Sequence, residues 1–385
     1  VKPIPYARQS IDRADIDAVV EVLRSDWITQ GPIIERFETA FAAYCGVAHA
    51  VALSSGTAAL HAACLALGLG PGQRLWTSPN TFVASANCGL YCGAQVDFVD
   101  IDPRTGNLSI AALASKLERA SAEGALPQVL VPVHFGGRPC DMGQIADLAA
   151  RYGFRVVEDA SHAAGAEYAN GRVGNCAFSD ITVFSFHPVK IVTTGEGGMA
   201  FTADAQLARR LRRLRTHGIT RDPAQMTAKP DGPWYYEQID LGYNYRMTDI
   251  QAALGASQLA RIDRFLERRR QLASRYREAL GTAALALPPA DEPGTRSAWH
   301  LYVVRTEPAA RRSVIEGLRA RGIEPNVHYI PVHLQPYYRK LGFKRGDYPA
   351  AESFYEGAVS LPLFPALSDA EQQRVCEALR ALLQC

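Results

Sequence analysis

Apolar positions along the chain follow two periods. Ile16, Val19, Val20 and Leu23 recur at helical spacing, and Ile34, Phe37, Phe41 and Tyr44 mark a second helical face. His49–Leu53 reads as a strand, followed by Ser54-Ser55-Gly56-Thr57 and the helix-forming Ala58-Ala59-Leu60-His61-Ala62-Ala63. Gln128–His134, Phe154–Val157 (ending in Glu158-Asp159) and Ile181–Phe186 read as strands, with a helix at Ile145–Tyr152. Strands alternating with helices predict an α/β fold whose mainly parallel sheet is covered on both faces. The carboxyl ends of those strands are then the place for a ligand. From Thr248 to about Leu280 the chain has good helix formers and no Gly or Pro except Gly255, which predicts one long helix. A strand at His300–Val304, a helix at Arg312–Arg321 and a last helix from near Ser368 follow. The expected division is a large unit, residues 1–260, and a smaller α+β unit, 261–385, joined by the long helix at about 248–280.

Length and composition fit this picture. A chain of 385 residues is long for one simple core and suits one large and one smaller domain. The net charge of +2 argues against general nucleic-acid or membrane-surface binding. No apolar run approaches the roughly 20 residues that cross a bilayer. The opening Val1-Lys2-Pro3-Ile4-Pro5-Tyr6 lacks the apolar stretch of a secretion leader. The cysteines at 45, 64, 88, 92, 140, 176, 376 and 385 form no CxxC pair and no zinc spacing, so no metal site is expected. Dispersed free thiols suit a reducing cytoplasm. Cys88 and Cys92, four apart, would share a helix face.

Four segments carry candidate chemistry. Ser54-Ser55-Gly56-Thr57, between a strand and a helix start, offers free backbone N–H groups and a helix dipole to an anion; as packing it is an N-cap and a tight turn. Gly68-Leu69-Gly70-Pro71-Gly72 follows a helix and lacks dinucleotide-loop spacing, so it reads as a helix stop. Asp159 ends a strand, at the sheet rim or in a site. Lys190, in Phe184-Ser185-Phe186-His187-Pro188-Val189-Lys190, lies just past another strand before a glycine-rich turn. Desolvation there would lower its pKa and make it nucleophilic.

A phosphate cradle, a strand-end Asp and a lysine 31 residues later stand in the order used by fold-type I pyridoxal-phosphate (PLP) enzymes. The chain resembles the DegT/DnrJ-type sugar aminotransferase family from about Tyr6 to the last helix. Its most specific matches are Glu158-Asp159-Ala160, the Phe184–Gly198 block, Gly242-Tyr243-Asn244-Tyr245-Arg246-Met247-Thr248-Asp249 and Val327-His328-Tyr329. The resemblance implies that Lys190 carries the cofactor and that Asp159 pairs with its pyridine nitrogen. It implies that Gly56, Thr57 and Ala58 hold the phosphate through backbone amides, that Ser185 adds a hydroxyl, and that Phe82 stacks on the ring. His162 stands where the family often has Gln, and can donate the same hydrogen bond. Asn244 would reach the phosphate of a neighbouring subunit, so a homodimer with shared sites is implied.

His187-Pro188-Val189-Lys190 and Gly232-Pro233-Trp234-Tyr235-Tyr236-Glu237-Gln238 look most like the subgroup on the route to pseudaminic acid. Those enzymes aminate C4 of a UDP-linked 4-keto-6-deoxy-N-acetyl sugar with glutamate as donor. Tyr6, Thr29, Gln30, Arg246, His328 and Tyr329 would then face substrate, with Arg215 and His217 as weaker candidates. The alternatives are another nucleotide keto-sugar (dTDP- or GDP-linked, C3 or C4), a sugar dehydratase, and a non-catalytic PLP- or sugar-binding regulator. Related dehydratases have His in place of the lysine, so Lys190 favours amination.

Overall fold

The computed structural model describes residues 3–168 and 171–383. Val1, Lys2 and Cys385 lie outside the described residues. Helices α1 (Arg13–Leu23) and α2 (Pro32–Cys45) lead into β1 (His49–Leu53) and α3 (Gly56–Ala66). Then come β2 (Arg74–Thr77), α4 (Ala84–Tyr91), β3 (Gln95–Phe98), α5 (Ile110–Glu123), β4 (Val129–Val131), α6 (Met142–Tyr152) and β5 (Arg155–Asp159). The pattern closes with β6 (Ile181–Ser185), β7 (Gly198–Thr202), α7 (Ala205–Leu214), α8 (Asp249–Leu259) and α9 (Ile262–Leu280). No helix among the described residues is long and apolar enough to cross a membrane.

The seven strands form one sheet in the order β1-β7-β6-β5-β4-β2-β3. All neighbours are parallel except β7, which runs antiparallel to both β1 and β6. The two-residue period divides each strand between two cores. Val51, Leu53, Val129, Val131 and Val157 face α3, α4 and α7, while Ala52, Leu130 and Val156 face α2, α5 and α6. Phe41, fully buried, packs at 5.3 to 5.7 Å on Phe184, Phe186 and Phe201 and anchors the second core. This is the fold-type I α/β architecture.

The sequence reading needs three corrections. The expected strand at Gln128–His134 is regular only over Val129–Val131, because Pro132 has no N–H to continue the ladder. The expected helix across Thr248–Leu280 is two helices. It breaks at Ala260-Arg261, where neither Gly nor Pro stands and Arg261 has φ −119°. There Arg261 turns its guanidinium onto Asp12 and Asp15, and Asp15 also accepts from Ser257 and Gln258 at 2.7 Å. That clasp ties the break to α1, an interaction invisible to helix propensity. The third concerns Cys92, which follows the end of α4 rather than lying within it.

A further core gathers Leu272, Tyr276 and Leu280 of α9 with Trp299, Tyr302, Val304, Val314, Leu318, Val359 and Leu379. Tyr302–Arg305 pairs antiparallel with Ala358–Leu361 at its centre. Ile4 also packs in this core, and Ile4–Pro5 pairs with Ile323–Glu324, so the first residues join the C-terminal part rather than the large sheet.

Candidate active site

Strand ends converge on one cavity of about 510 Å³. It holds Gly56 and Thr57 after β1, Asp159 at the end of β5, Ser185 at the end of β6, and Lys190 in the β6–β7 loop. Phe82, His162, Tyr6, His328 and Tyr329 line it too. Ten of the sequence-predicted residues therefore meet here.

The turn between β1 and α3 is built by close approach. Ser55 caps α3, its Oγ accepting the Ala58 N–H at 3.0 Å. That corrects the expectation for Ala58, whose amide is already satisfied, and leaves the Gly56 and Thr57 amides, in residues that line the cavity, without an acceptor among the described residues. A Cβ on Gly56 would stand 2.8 Å from the Cβ of Ser185, so only glycine lets the turn sit against β6.

Asp159 and Glu158 show what the strand period does to two adjacent acids. Glu158 points into the second core, where His134 Nε2 lies at 2.8 Å, and Tyr168 and Thr182 each donate at 2.9 Å. Asp159 points the other way. Ser85 Oγ donates to its Oδ2 at 2.5 Å, and Ser161 donates to its Oδ1 from N–H (3.1 Å) and Oγ (2.6 Å). Thr81 Oγ1, 2.7 Å from Ser85 Oγ, completes the chain. These contacts hold a buried carboxylate in one rotamer. Sequence reasoning missed Ser85 and Ser161. Ser161, two residues past an Asp, carried a turn signature; Ser85 carried none.

Lys190 has no hydrogen-bonding side-chain partner among the described residues. Burial lowers its pKa to about 8, against the opposing pull of the Asp159 charge. Phe186 accepts from Thr193 Oγ1 at 3.0 Å and pins the far side of the loop.

Opposite the sheet stands a wall of uncharged donors. His162 Nδ1 accepts the Gly136 N–H at 3.3 Å, which puts the ring proton on Nε2, 3.1 Å from the Tyr329 hydroxyl. Burial, then the Lys190 charge, hold the His162 pKa well below the ordinary value. His328, with Nδ1 2.7 Å from Ser360 Oγ, is pushed down to about 3 by the same two causes. Burial raises the phenols of Tyr329 and Tyr6, with Asn326 hydrogen-bonding Tyr6.

Six predicted residues lie elsewhere. Gln30 and Arg246 line a separate open cavity of about 640 Å³ with Arg212 and Arg215. Thr29 bridges to Thr248 through backbone, and exposed Asn244 bridges to Thr216. Arg215 is committed to Glu38 (2.5 Å) and the Ala52 carbonyl (2.8 Å), a packing role. His217 takes φ 57° and serves the same loop through its backbone.

These residues fit pyridoxal phosphate. Free amides at a helix start suit its phosphate, a fixed buried carboxylate suits its ring nitrogen, and a lysine without a partner suits its carbonyl carbon. Comparison with known proteins agrees. The spore coat polysaccharide biosynthesis protein SpsC of Bacillus subtilis is 40% identical over 387 residues, covering 99% of this chain and 97% of its own. The UDP-4-amino-4-deoxy-L-arabinose–oxoglutarate aminotransferase of Shewanella sediminis is 36% identical, covering 99% and 98%. Among solved structures, Spr1654 of Streptococcus pneumoniae in its PLP form superposes with TM-score 0.89 at 31% identity, covering 99% of each chain. PseC of Helicobacter pylori, an aminotransferase of pseudaminic acid biosynthesis, superposes with TM-score 0.87 at 29% identity over the whole of both chains. The model of the DegT/DnrJ/EryC1/StrS aminotransferase family matches residues 9–380, and the chain belongs to that family of PLP-dependent sugar aminotransferases.

Proposed function

We propose that this enzyme moves the amino group of glutamate onto C4 of a UDP-linked 4-keto-6-deoxy-N-acetyl sugar. The observation that carries the chemistry is Lys190, half-buried in the cavity that also holds Asp159, with its pKa lowered to about 8. A UDP nucleotide, an amino group at C4 and oxoglutarate, the keto acid that glutamate leaves on giving up its amino group, are all in the name of the Shewanella relative. The N-acetyl 6-deoxy sugar rests on the His187–Lys190 and Gly232–Gln238 motifs and on likeness to PseC.

Bound PLP supplies an electron sink for the negative charge left when substrate carbon loses its proton. Within the chain, Lys190 Nζ is the proton carrier, taking that proton and returning it on the cofactor side. Its lowered pKa leaves a usable share of free base near neutral pH. Asp159 keeps a proton on the ring nitrogen, and Ser85 and Ser161 keep Asp159 in place. Gly56, Thr57 and Ser185 bind the phosphate, and Phe82 covers the ring. Asn244 lies outside its own chain's cavity and serves that of a second copy, in a homodimer. Gln30 and Arg246 belong to the same shared surface.

A second reading, a UDP-linked 4-keto-pentose, is favoured by the higher identity of the Shewanella enzyme. A transamination screen with glutamate and UDP-, dTDP- and GDP-linked keto-sugars, products identified by mass and NMR, decides between them. Amination of dTDP-sugars alone, or at C3, overturns the proposal.

A further inference from the structure

The segment Ser297–Leu301 brings to the cavity a group that the chemistry above leaves unused. Trp299 adopts φ 48°, a left-handed conformation that a bulky residue enters only under constraint. The constraints come from both sides. Arg269 of α9, 1% exposed, donates from Nη1 to the carbonyls of Trp299, His300 and Leu363 at 3.2, 3.3 and 2.9 Å. No carboxylate pairs with that guanidinium among the described residues, so carbonyl dipoles alone hold the cation. Across the segment, Ala298 N–H donates to Gly137 at 3.0 Å and Leu301 N–H to Gly136 at 3.1 Å. Gly137 has φ 98°, and a Cβ there would stand 2.9 Å from the His162 carbonyl oxygen and 3.0 Å from the His300 nitrogen. The clasp sets the His300 ring at the cavity wall, its centroid 4.5 Å from that of His162.

His300 is 2% exposed, its Nδ1 is enclosed, and its ring makes no hydrogen bond among the described residues. An enclosed N–H without an acceptor is rarer than an enclosed lone pair, so the proton belongs on Nε2. Burial and then the nearby His162 and Lys190 keep the ring neutral. Nε2, unlike Nδ1, is not enclosed, so it is the ring nitrogen a ligand can reach, and no protein group among the described residues accepts from it.

We propose that His300 is a sugar-contacting residue whose Nε2–H donates to an uncharged oxygen of the substrate's sugar, a hydroxyl or the keto oxygen. A phosphate is a poor match at this wall, because Lys190 is the one cation among the residues lining the cavity. The contact rests on the nucleotide-sugar reading above.

The test is calorimetric titration of the PLP-loaded enzyme with the UDP-linked amino-sugar product and, separately, with UDP. His300→Phe keeps an aromatic ring against His162 and removes the donor; His300→Gln restores a donor. The phenylalanine variant should bind the sugar nucleotide roughly 5- to 100-fold more weakly, the range for leaving one buried acceptor without its donor. UDP affinity and the absorbance of bound PLP should be unchanged, and glutamine should recover much of the loss. Equal sugar-nucleotide affinity in wild type and His300→Phe overturns the contact alone, as does an equal loss for UDP. If the unmodified enzyme neither binds nor aminates any UDP-sugar, the substrate reading fails first and the contact with it.

Discussion

On the sheet side of the cavity every functional group follows a strand end: Thr57 after β1, Asp159 on β5, Ser185 on β6, Lys190 just beyond. Across from them, Tyr6, His300, Asn326, His328 and Tyr329 come from the first and last thirds of the chain, with Tyr6 and Tyr329 packed on a small cluster around Leu301, Val303 and Phe354. The sheet side offers charge and free amides, a surface for the cofactor. The far side offers neutral imidazoles and phenols, a surface for polyhydroxylated substrate. On the proposed reading, one cavity separates the group that is the same in every turnover from the group that defines the enzyme's specificity.

Substitutions can break that separation, and the largest effect belongs to the sheet side. Lys190→Ala should lower turnover roughly 10³-fold or more, read by coupled assay of oxoglutarate release. A loss under tenfold would place the proton carrier elsewhere. Asp159→Asn should cost roughly 10²-fold in kcat while part of the PLP stays bound. Gly56→Ala drives a methyl against Ser185, and PLP affinity should fall about tenfold or more by fluorescence titration. If sugar KM changes instead of cofactor affinity, the two walls are not separate. On the far wall, Tyr329→Phe removes the hydroxyl beside His162. Kinetics of each half-reaction should show a several-fold loss with the keto-sugar and little change with glutamate. The smallest effect is on stability. Lys190 has a folded pKa of about 8 against 10.5 unfolded, so between those values the unfolded chain binds the extra proton. PLP-free protein should gain stability as pH rises through that window, and Lys190→Met should flatten the slope in thermal melts.

The same contrast explains what the sequence made legible. Groups at strand ends sit in contiguous motifs, where period-two alternation and a following helix announce them; Asp159 and Lys190 were readable for that reason. His300 and Asn326 reach the cavity from positions whose neighbours in space are far away in the chain, and no local period marks them. Ser85 looks like any helix serine until Asp159 is placed beside it. The break at Arg261 was hidden likewise, since its acids lie some 250 residues upstream in α1.

The lone reversed strand has a consequence for how the site assembles. Because β7 returns directly against β6, with Gly198 opposite Ser185, Lys190 is carried by a hairpin while the parallel neighbours are linked by crossovers. Closing that loop joins residues only about a dozen apart, so its entropic cost is small and its contacts are local. The lysine's arm can take shape as soon as two adjacent strands meet, before the far wall arrives. A circularly permuted chain opened in a surface loop distant from this hairpin should therefore keep its PLP-binding lysine, even where sugar recognition has been lost.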